Sequence, residues 1–208
     1  SAGNTVAIDF GNNTTKIAIQ SGQIMPSVVP VRGFSREIPC GINPQAGTPV
    51  IPSLIRYSPD GRVSIGQEAI EQGSSGDNGL IRWMVHYISV GNPARVHTRD
   101  TVISYQEAGE AFLRSVLAMV CEQYQLTRPE LVMTVPLGSY DHFHEWVLGF
   151  TTRNGYSRIR LIDEPTAAAL SCCPDIRAGE PFLFFDLGGD SLEVSVAAFG
   201  NEEAANRC

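Results

Sequence analysis

A short turn between two β-type runs occurs twice in this sequence, and the repeat limits the possible folds more than any other feature. In the first copy, at residues 6–19, Asp9 ends an apolar run and Gly11 follows two residues later. In the second copy, at residues 185–196, Asp186 and Gly188 stand in the same places after a shift of 177 residues. Apolar residues alternate on both sides of each turn, which predicts two β-hairpins of the same design.

The residues in these turns are typical of a site that holds a phosphate group. Glycine lets backbone N–H groups approach a ligand closely, and successive N–H groups in a tight turn form an anion-binding concavity. Amide and hydroxyl side chains add donors, and a neighbouring carboxylate favours a magnesium ion held directly or through water. One Asp-x-Gly turn is more often structural, but two copies favour a pair of turns that clamp the phosphates of a nucleotide from both sides.

Composition excludes several classes of protein. The chain has 208 residues, of which 43% are hydrophobic and 18% are charged, as expected for a folded domain with a substantial core. A net charge of -7 argues against a nucleic-acid partner. We also expect no membrane span, because no apolar run reaches about 18 residues, and no signal peptide. The chain has five cysteines, whose spacing fits neither a zinc site nor a disulfide framework and indicates reduced thiols in the cytoplasm.

Local patterns predict the order of the elements. The first half predicts a hairpin at 5–20, an edge strand at 28–31, a loop at 33–50, a hairpin from 51–57 and 62–65, a helix near Glu68, and a helix at 80–88 with Arg82 and His86 on one face. The second half predicts a helix from a capping box at Ser104 and Glu107 to about Gln125, a strand at 131–135, a helix at 139–152, a strand at 159–162, a short helix at 163–170 and the closing hairpin from Phe182.

This order predicts an α/β fold in which helices flank a mostly parallel sheet that begins with an antiparallel hairpin. Ligands of such sheets lie at the carboxyl ends of the strands. Asp9, Pro136, Glu164 and Asp186 each stand at the end of a predicted strand. We therefore expect these four residues to meet at one site.

Three segments together resemble a known family. The Asp-x-Gly turns at residues 8–11 and 185–189, with Asp-Glu-Pro-Thr-Ala-Ala-Ala at 163–169, look like the nucleotide-binding domain of DnaK-type heat-shock chaperones, which belong to the actin-like ATPase superfamily. Segments at 51–53, 65–69 and 134–136 resemble further family motifs in the same order, so the likeness runs from about residue 5 to residue 199.

The resemblance implies a fold and a domain division. The fold is the actin-like ATPase (ribonuclease H-like) α/β fold, with a mixed sheet flanked by helices in the first lobe and the first hairpin of a second lobe. The first lobe is expected at residues 1–180, with an inserted subdomain at roughly 34–100. Residues 181–208 would begin the second lobe, which the chain does not complete, so we expect a piece of a longer protein.

The resemblance also implies residue roles around ATP and magnesium. The metal shell would contain Asp9 and Asp186, and the catalytic group would contain Glu164, which orients the attacking water, with Asp186 and Glu193. The phosphates would lie in a cradle formed by Gly11, Asn12, Asn13, Thr14, Gly188, Gly189 and Ser191. Phosphoryl transfer depends mainly on such positioning and on electrostatic stabilisation.

The sequence departs from the family pattern at four positions. Asn12 and Asn13 replace threonines, Asp190 replaces a glycine, and Ile70 stands where we expect a lysine that contacts the transferred phosphate. Loss of a fixed cation costs several kcal/mol of barrier, so we expect weak hydrolysis in the whole protein and none measurable from residues 1–208.

Three functions remain open from the sequence. The first is a chaperone-like ATPase that binds ATP and ADP and, through the rest of a longer protein, co-chaperones and unfolded clients. The second is another actin-like ATPase, of the filament-forming, cell-division or sugar-kinase type. The third is a degenerate lobe that binds a nucleotide or a partner without hydrolysis. The chain by itself is also expected to self-associate, because an incomplete sheet exposes unpaired edges.

Overall fold

The computed structural model describes residues 3–40, 43–73, 79–98, 101–137, 140–172, 177, 179–188, 192–198 and 200. Its strands are β1 (Thr5–Phe10), β2 (Thr14–Gln20), β3 (Ser27–Val28), β4 (Arg36–Cys40), β5 (Asn43–Pro52), β6 (Ile55–Tyr57), β7 (Val63–Ile65), β8 (Leu80–Ile81), β9 (Arg95–His97), β10 (Val102–Ser104), β11 (Glu130–Val135), β12 (Ile159–Asp163), β13 (Pro181–Leu187) and β14 (Leu192–Ala198). Its helices are α1 (Gln67–Glu71), α2 (Met84–Ser89), α3 (Tyr105–Gln123), α4 (Tyr140–Arg153) and α5 (Glu164–Cys172).

A mixed sheet forms the centre of the fold. Within the described residues it has seven strands in the order β12-β11-β1-β2-β5-β4, and β3 pairs with β2. The pairs β1–β11 and β11–β12 are parallel, whereas β1–β2, β2–β5 and β4–β5 are antiparallel. This arrangement confirms the predicted α/β fold with a mixed sheet flanked by helices.

The alternation of buried and more exposed side chains along the sequence explains the first hairpin. The structure confirms this predicted hairpin. Val6, Ile8 and Phe10 are buried on one face of β1, whereas Asp9 points to the other, more open face. The register of β1 and β2 sets Asp9 directly opposite Lys16. Because side chains of opposed residues share a face, this carboxylate and this ammonium group are neighbours.

Helix α3 anchors the core beneath the sheet. Its predicted capping box is present: the Glu107 N–H donates to Ser104 Oγ at 3.1 Å, and the Ser104 N–H donates to Glu107 Oε2 at 2.8 Å. The helix buries Phe112, whose ring stacks on that of Phe10 with 5.3 Å between centroids. The side chain that ends β1 thus fixes the strand against α3.

The predicted loop at residues 33–50 is wrong. Strands β4 and β5 form an antiparallel pair there, and β5 joins the central sheet through β2. Pro39 is tolerated because, among the described strands, β4 lies at the edge of the sheet and needs no ladder partner on its outer side. The register shifts between Pro39 and Cys40, so the irregular composition marks a bulge rather than a loop.

The predicted helix at 80–88 is also wrong at its start. Leu80 and Ile81 form β8, which pairs with β6, and α2 begins only at Met84. Trp83 precedes the helix with a left-handed φ of 57°, which ends the extended backbone. Arg82 therefore lies outside the helix and does not share a helical face with His86.

The hairpin predicted from residues 51–57 and 62–65 is present as β6 and β7, and α1 follows it as expected. Gly66 precedes α1 with a φ of 62°, and a Cβ there would lie 2.5 Å from the Phe34 carbonyl oxygen. Only glycine fits this corner.

Strands β13 and β14 form a separate two-stranded antiparallel sheet, as predicted for the closing hairpin. Among the described residues, no helix is long and apolar enough to cross a membrane. The division into a lobe at 1–180 with an inserted subdomain, and the beginning of a second lobe at 181–208, stays a prediction.

Candidate functional site

A polar cavity of about 350 Å³ opens where several strands end. Its walls are the β1–β2 turn, α2, the start of α5 and the turn end of the β13–β14 hairpin. Nine of the predicted site residues line it: Asp9, Gly11, Asn12, Asn13, Thr14, Glu164, Asp186, Gly188 and Glu193. Pro136 lines it too. Gly189 and Ser191, with the neighbouring Asp190, lie outside the described residues, and the roles predicted for all these residues stay predictions.

The first turn is tightly built. The Gly11 N–H donates to the Thr14 carbonyl at 3.1 Å, and a Cβ on Gly11 would lie 2.9 Å from that same oxygen. Glycine is therefore needed for the turn to close. Directly after β5, the Ser53 N–H donates to the Asn13 carbonyl at 2.9 Å, and its hydroxyl is 2.9 Å from the buried Thr15 hydroxyl. The segment at 51–53 thus supports the turn from behind.

Asn12 joins the turn to α2. The His86 backbone N–H donates to Asn12 Oδ1 at 2.7 Å. Because a backbone N–H can only donate, its partner must be the amide oxygen of Asn12. The oxygen therefore points towards α2 and the NH₂ group points away from this bond. Among the described residues, no acceptor is paired with the NH₂ end of Asn12, so its donors can bind a ligand.

Asp163 positions Glu164 at the cavity. It ends β12, and its carboxylate accepts bonds from the Thr166 N–H and the Thr166 hydroxyl, each at 2.8 Å. This pattern caps the first turn of α5. Glu164, the first residue of that helix, is thereby held against the cavity wall.

Negative charge is concentrated in this cavity. The pKa of Glu164 is raised to about 7, mainly by burial and then by the nearby carboxylates of Glu193, Asp9 and Asp186, in that order of effect. A cation between these groups would relieve their repulsion. The carboxylates of the two hairpins and of α5 therefore repel one another, and this concentration of negative charge favours the binding of a cation.

The carboxylates suit a hydrated magnesium ion better than a directly ligated one. In the described part of the chain, no three His, Cys, Asp or Glu side chains converge closely enough to hold a metal by themselves. Magnesium usually keeps several waters and is held by one or two carboxylates together with substrate phosphates. The donor set fits an ion that enters with a polyphosphate.

Five residues of the cavity wall were not identified from the sequence as site residues: the apolar Val85 and Leu187, and the polar Lys16, His86 and Ser89. Lys16 Nζ lies 3.2 Å from Asp9 Oδ2, and the Thr134 hydroxyl donates to Asp9 Oδ1 at 2.9 Å. Ser89 is only 6% exposed, and its hydroxyl has no hydrogen-bond partner among the described residues. Pairing the hairpin residues across the turn would have identified Lys16; no local pattern marks Ser89.

Ile70 does not line the cavity. It lies on α1 with 40% of its surface exposed. The expectation that the family places a phosphate-contacting lysine at this position stays a prediction. The described wall nearest in sequence to α1 is formed by α2, through Val85, His86 and Ser89.

Comparison with known proteins places the chain in a family. The family model for the MreB/Mbl protein matches residues 85–205, more than half of the chain. The chain belongs to the MreB/Mbl family of actin-like ATPases.

Curated relatives of this MreB/Mbl-family chain are named chaperone protein DnaK. The protein from Thermoplasma acidophilum is 30% identical over 201 residues, those from Elusimicrobium minutum and Endomicrobium trichonymphae are 26% and 25% identical, and 94% to 95% of the chain is aligned. The chain spans about 30% of the length of each relative. These matches confirm the DnaK-like actin fold predicted from the turn motifs.

Proposed function

We propose that this domain binds the magnesium complex of ATP or ADP, with the phosphates between the two Asp-x-Gly turns. The observation that carries the proposal is that both turns and Glu164 open onto one cavity of about 350 Å³. Backbone N–H groups of the Gly11 turn and the NH₂ of Asn12, which has no partner in the described part of the chain, would donate to phosphate oxygens. The buried Ser89 hydroxyl, which lacks a partner within the described residues, provides a further donor.

The acidic residues would hold the metal and water. Asp9 and Asp186 face the cavity from opposite hairpins and would accept bonds from magnesium-bound waters. Magnesium, when bound, neutralises charge on the phosphates. Glu164 and Glu193 would orient the attacking water, which is positioning rather than covalent chemistry.

For the whole protein we propose ATP hydrolysis coupled to a chaperone role in the cytoplasm, with unfolded clients and co-chaperones as partners. The support is the name of the relatives, chaperone protein DnaK. A filament-forming actin-like ATPase is the second candidate, because the MreB/Mbl model matches and because one face of β13–β14 is apolar and exposed.

Binding of a fluorescent ADP analogue to the 208-residue chain, with and without magnesium, tests the proposal. We expect Asp9→Asn and Asp186→Asn to remove the dependence on magnesium. Asp60→Asn is the matched control, because that carboxylate lies on an exposed turn and pairs only with Arg62 among the described residues. Equal binding by all variants, or no binding by the unmodified chain, would contradict the proposal.

A further inference from the structure

Lys16 is the only lysine in the chain, and the hairpin register places it beside the carboxylate that opens the site. Its ammonium group is 3.2 Å from Asp9 Oδ2, and the two side chains are 43% and 42% exposed. It also lines the cavity. An ion pair this exposed is weak, so the ammonium is free to exchange partners.

The charge of the cavity requires such a cation. Within the described part of the chain, four carboxylates line the cavity: Asp9, Glu164, Asp186 and Glu193. Against them, Lys16 is the one lysine or arginine among the described lining residues. A polyphosphate entering this cavity would be repelled unless positive charge moved towards it.

Asp9 can lose its ion pair without being left unsatisfied. Its second oxygen accepts the Thr134 hydroxyl at 2.9 Å, and the carboxylate is exposed enough to remain hydrated. Lysine has a flexible stem with three rotatable donors, so its ammonium group can turn from Asp9 into the cavity.

We propose that Lys16 pairs with Asp9 in the nucleotide-free protein and turns to a phosphate oxygen when the magnesium nucleotide binds. This inference rests on the proposed function. The hydrated metal then takes the place of the ammonium beside Asp9. Metal and nucleotide therefore bind cooperatively, because the metal alone must displace Lys16 whereas the complex provides the ammonium with a new partner.

Two binding measurements with opposite expected signs test the exchange. Lys16→Met should weaken binding of Mg-ADP by about 10- to 100-fold, because a charge-assisted hydrogen bond is lost. The same variant should bind Mg²⁺ alone about 2- to 5-fold more tightly, because a competing exposed ion pair is gone. Arg62→Met is the matched control, since it removes an exposed cation paired with Asp60 outside the cavity. Lys16→Arg should recover most of the Mg-ADP affinity.

Selective acetylation provides a readout independent of affinity. Lys16 is the single side-chain amine, and the α-amino group of the chain serves as the internal reference. We expect slow acetylation of Lys16 in the empty protein, faster acetylation with Mg²⁺ alone, and protection by Mg-ADP but not by adenosine. Peptide mass spectrometry measures each extent.

The outcomes separate this inference from the proposed function. If the unmodified chain binds Mg-ADP, but Lys16→Met binds it equally well and Mg-ADP gives no protection, the exchange is refuted while the proposed function stands. If the unmodified chain binds no nucleotide, both fall. Weakened binding of Mg²⁺ alone by Lys16→Met would also refute the exchange, because Lys16 would then support the metal rather than compete with it.

Discussion

At the scale of single residues, the cavity contains side chains whose positions lower the stability of the ligand-free protein. Ser89 buries a hydroxyl without a partner within the described chain, and Glu164 is held where burial and three other carboxylates oppose its ionisation. Burying a polar group without a hydrogen-bond partner lowers the stability of the folded protein. Both residues line the same cavity, which is the expected pattern for groups that await a ligand.

Ser89→Ala should separate stability from binding. Removing an unsatisfied buried hydroxyl is expected to raise the free energy of unfolding by about 1 kcal/mol, while affinity for Mg-ADP falls several-fold. Ser64→Ala is the matched control, because its hydroxyl is also buried without a described partner but lies outside the cavity. Chemical denaturation and ADP titration measure the two effects. Loss of stability in Ser89→Ala would contradict the prediction.

Glu164 should make stability depend on pH. Its pKa in the folded protein, about 7, lies above the ordinary value of 4.5. Its contribution to stability is therefore fully present below about pH 4.5 and is lost as the pH rises through about 7. Glu164→Gln should flatten the melting temperature between about pH 5 and about pH 8 in metal-free buffer and melt higher than the unmodified chain at the alkaline end. An unchanged slope would show that other groups control the profile.

At the scale of elements, the first turn depends on two neighbours distant in sequence. Ser53, directly after β5, supports it from behind, and α2 holds Asn12 by the His86 backbone N–H. These bonds give the loop a defined shape and leave the Asn12 NH₂ without a partner in the part of the chain that the structure describes. Preorganised donors of this kind lose less entropy when a ligand binds.

Gly11→Ala tests how strictly the turn is built. The added Cβ would lie 2.9 Å from the Thr14 carbonyl oxygen, so the backbone must shift. We expect a loss of about 1–3 kcal/mol in the free energy of unfolding and at least a tenfold loss of Mg-ADP affinity. Gly3→Ala is the control, because a Cβ there meets nothing within 4 Å. Equal behaviour of the two variants in thermal melts and ADP titration would contradict this account.

At the scale of the whole molecule, the β13–β14 hairpin has two different faces. The register pairs Leu183 with Val196, Phe185 with Val194, and Leu187 with Leu192. All six side chains are apolar and 54% to 81% exposed. Asp186 and Glu193, which pair on the opposite face, line the cavity. One face thus completes the candidate site while the other is left without a cover among the described residues.

The exposed face should make the 208-residue chain self-associate. Contiguous exposed apolar patches favour association, so the apparent mass in light scattering should rise with concentration. Phe185→Asp should shift the protein towards the monomer, whereas Ile70→Asp, which changes an exposed apolar residue on α1, should not. A monomer at all concentrations, or an equal effect of both variants, would contradict the prediction.

The sequence by itself determined the local elements of this protein. The two Asp-x-Gly hairpins, the capping box of α3 and the strand–helix alternation were predictable because each rests on periodicity or on a turn within a few residues. The carboxyl-end rule also brought Asp9 and Glu164 to one place, because β1 and β12 belong to one sheet and share an edge. Asp186 joins them from a separate two-stranded sheet.

Only the tertiary structure decided what depends on contacts between distant segments. Strands β4 and β5 form despite their prolines because they pair with each other and with β2, and this pairing outweighs weak local propensity. Ser89 and the raised pKa of Glu164 belong to the cavity as a whole, since burial and electrostatic interactions act through space. The Asp9 turn can be recognised in the sequence. The other carboxylates of the cavity come close to Asp9 only in the folded protein.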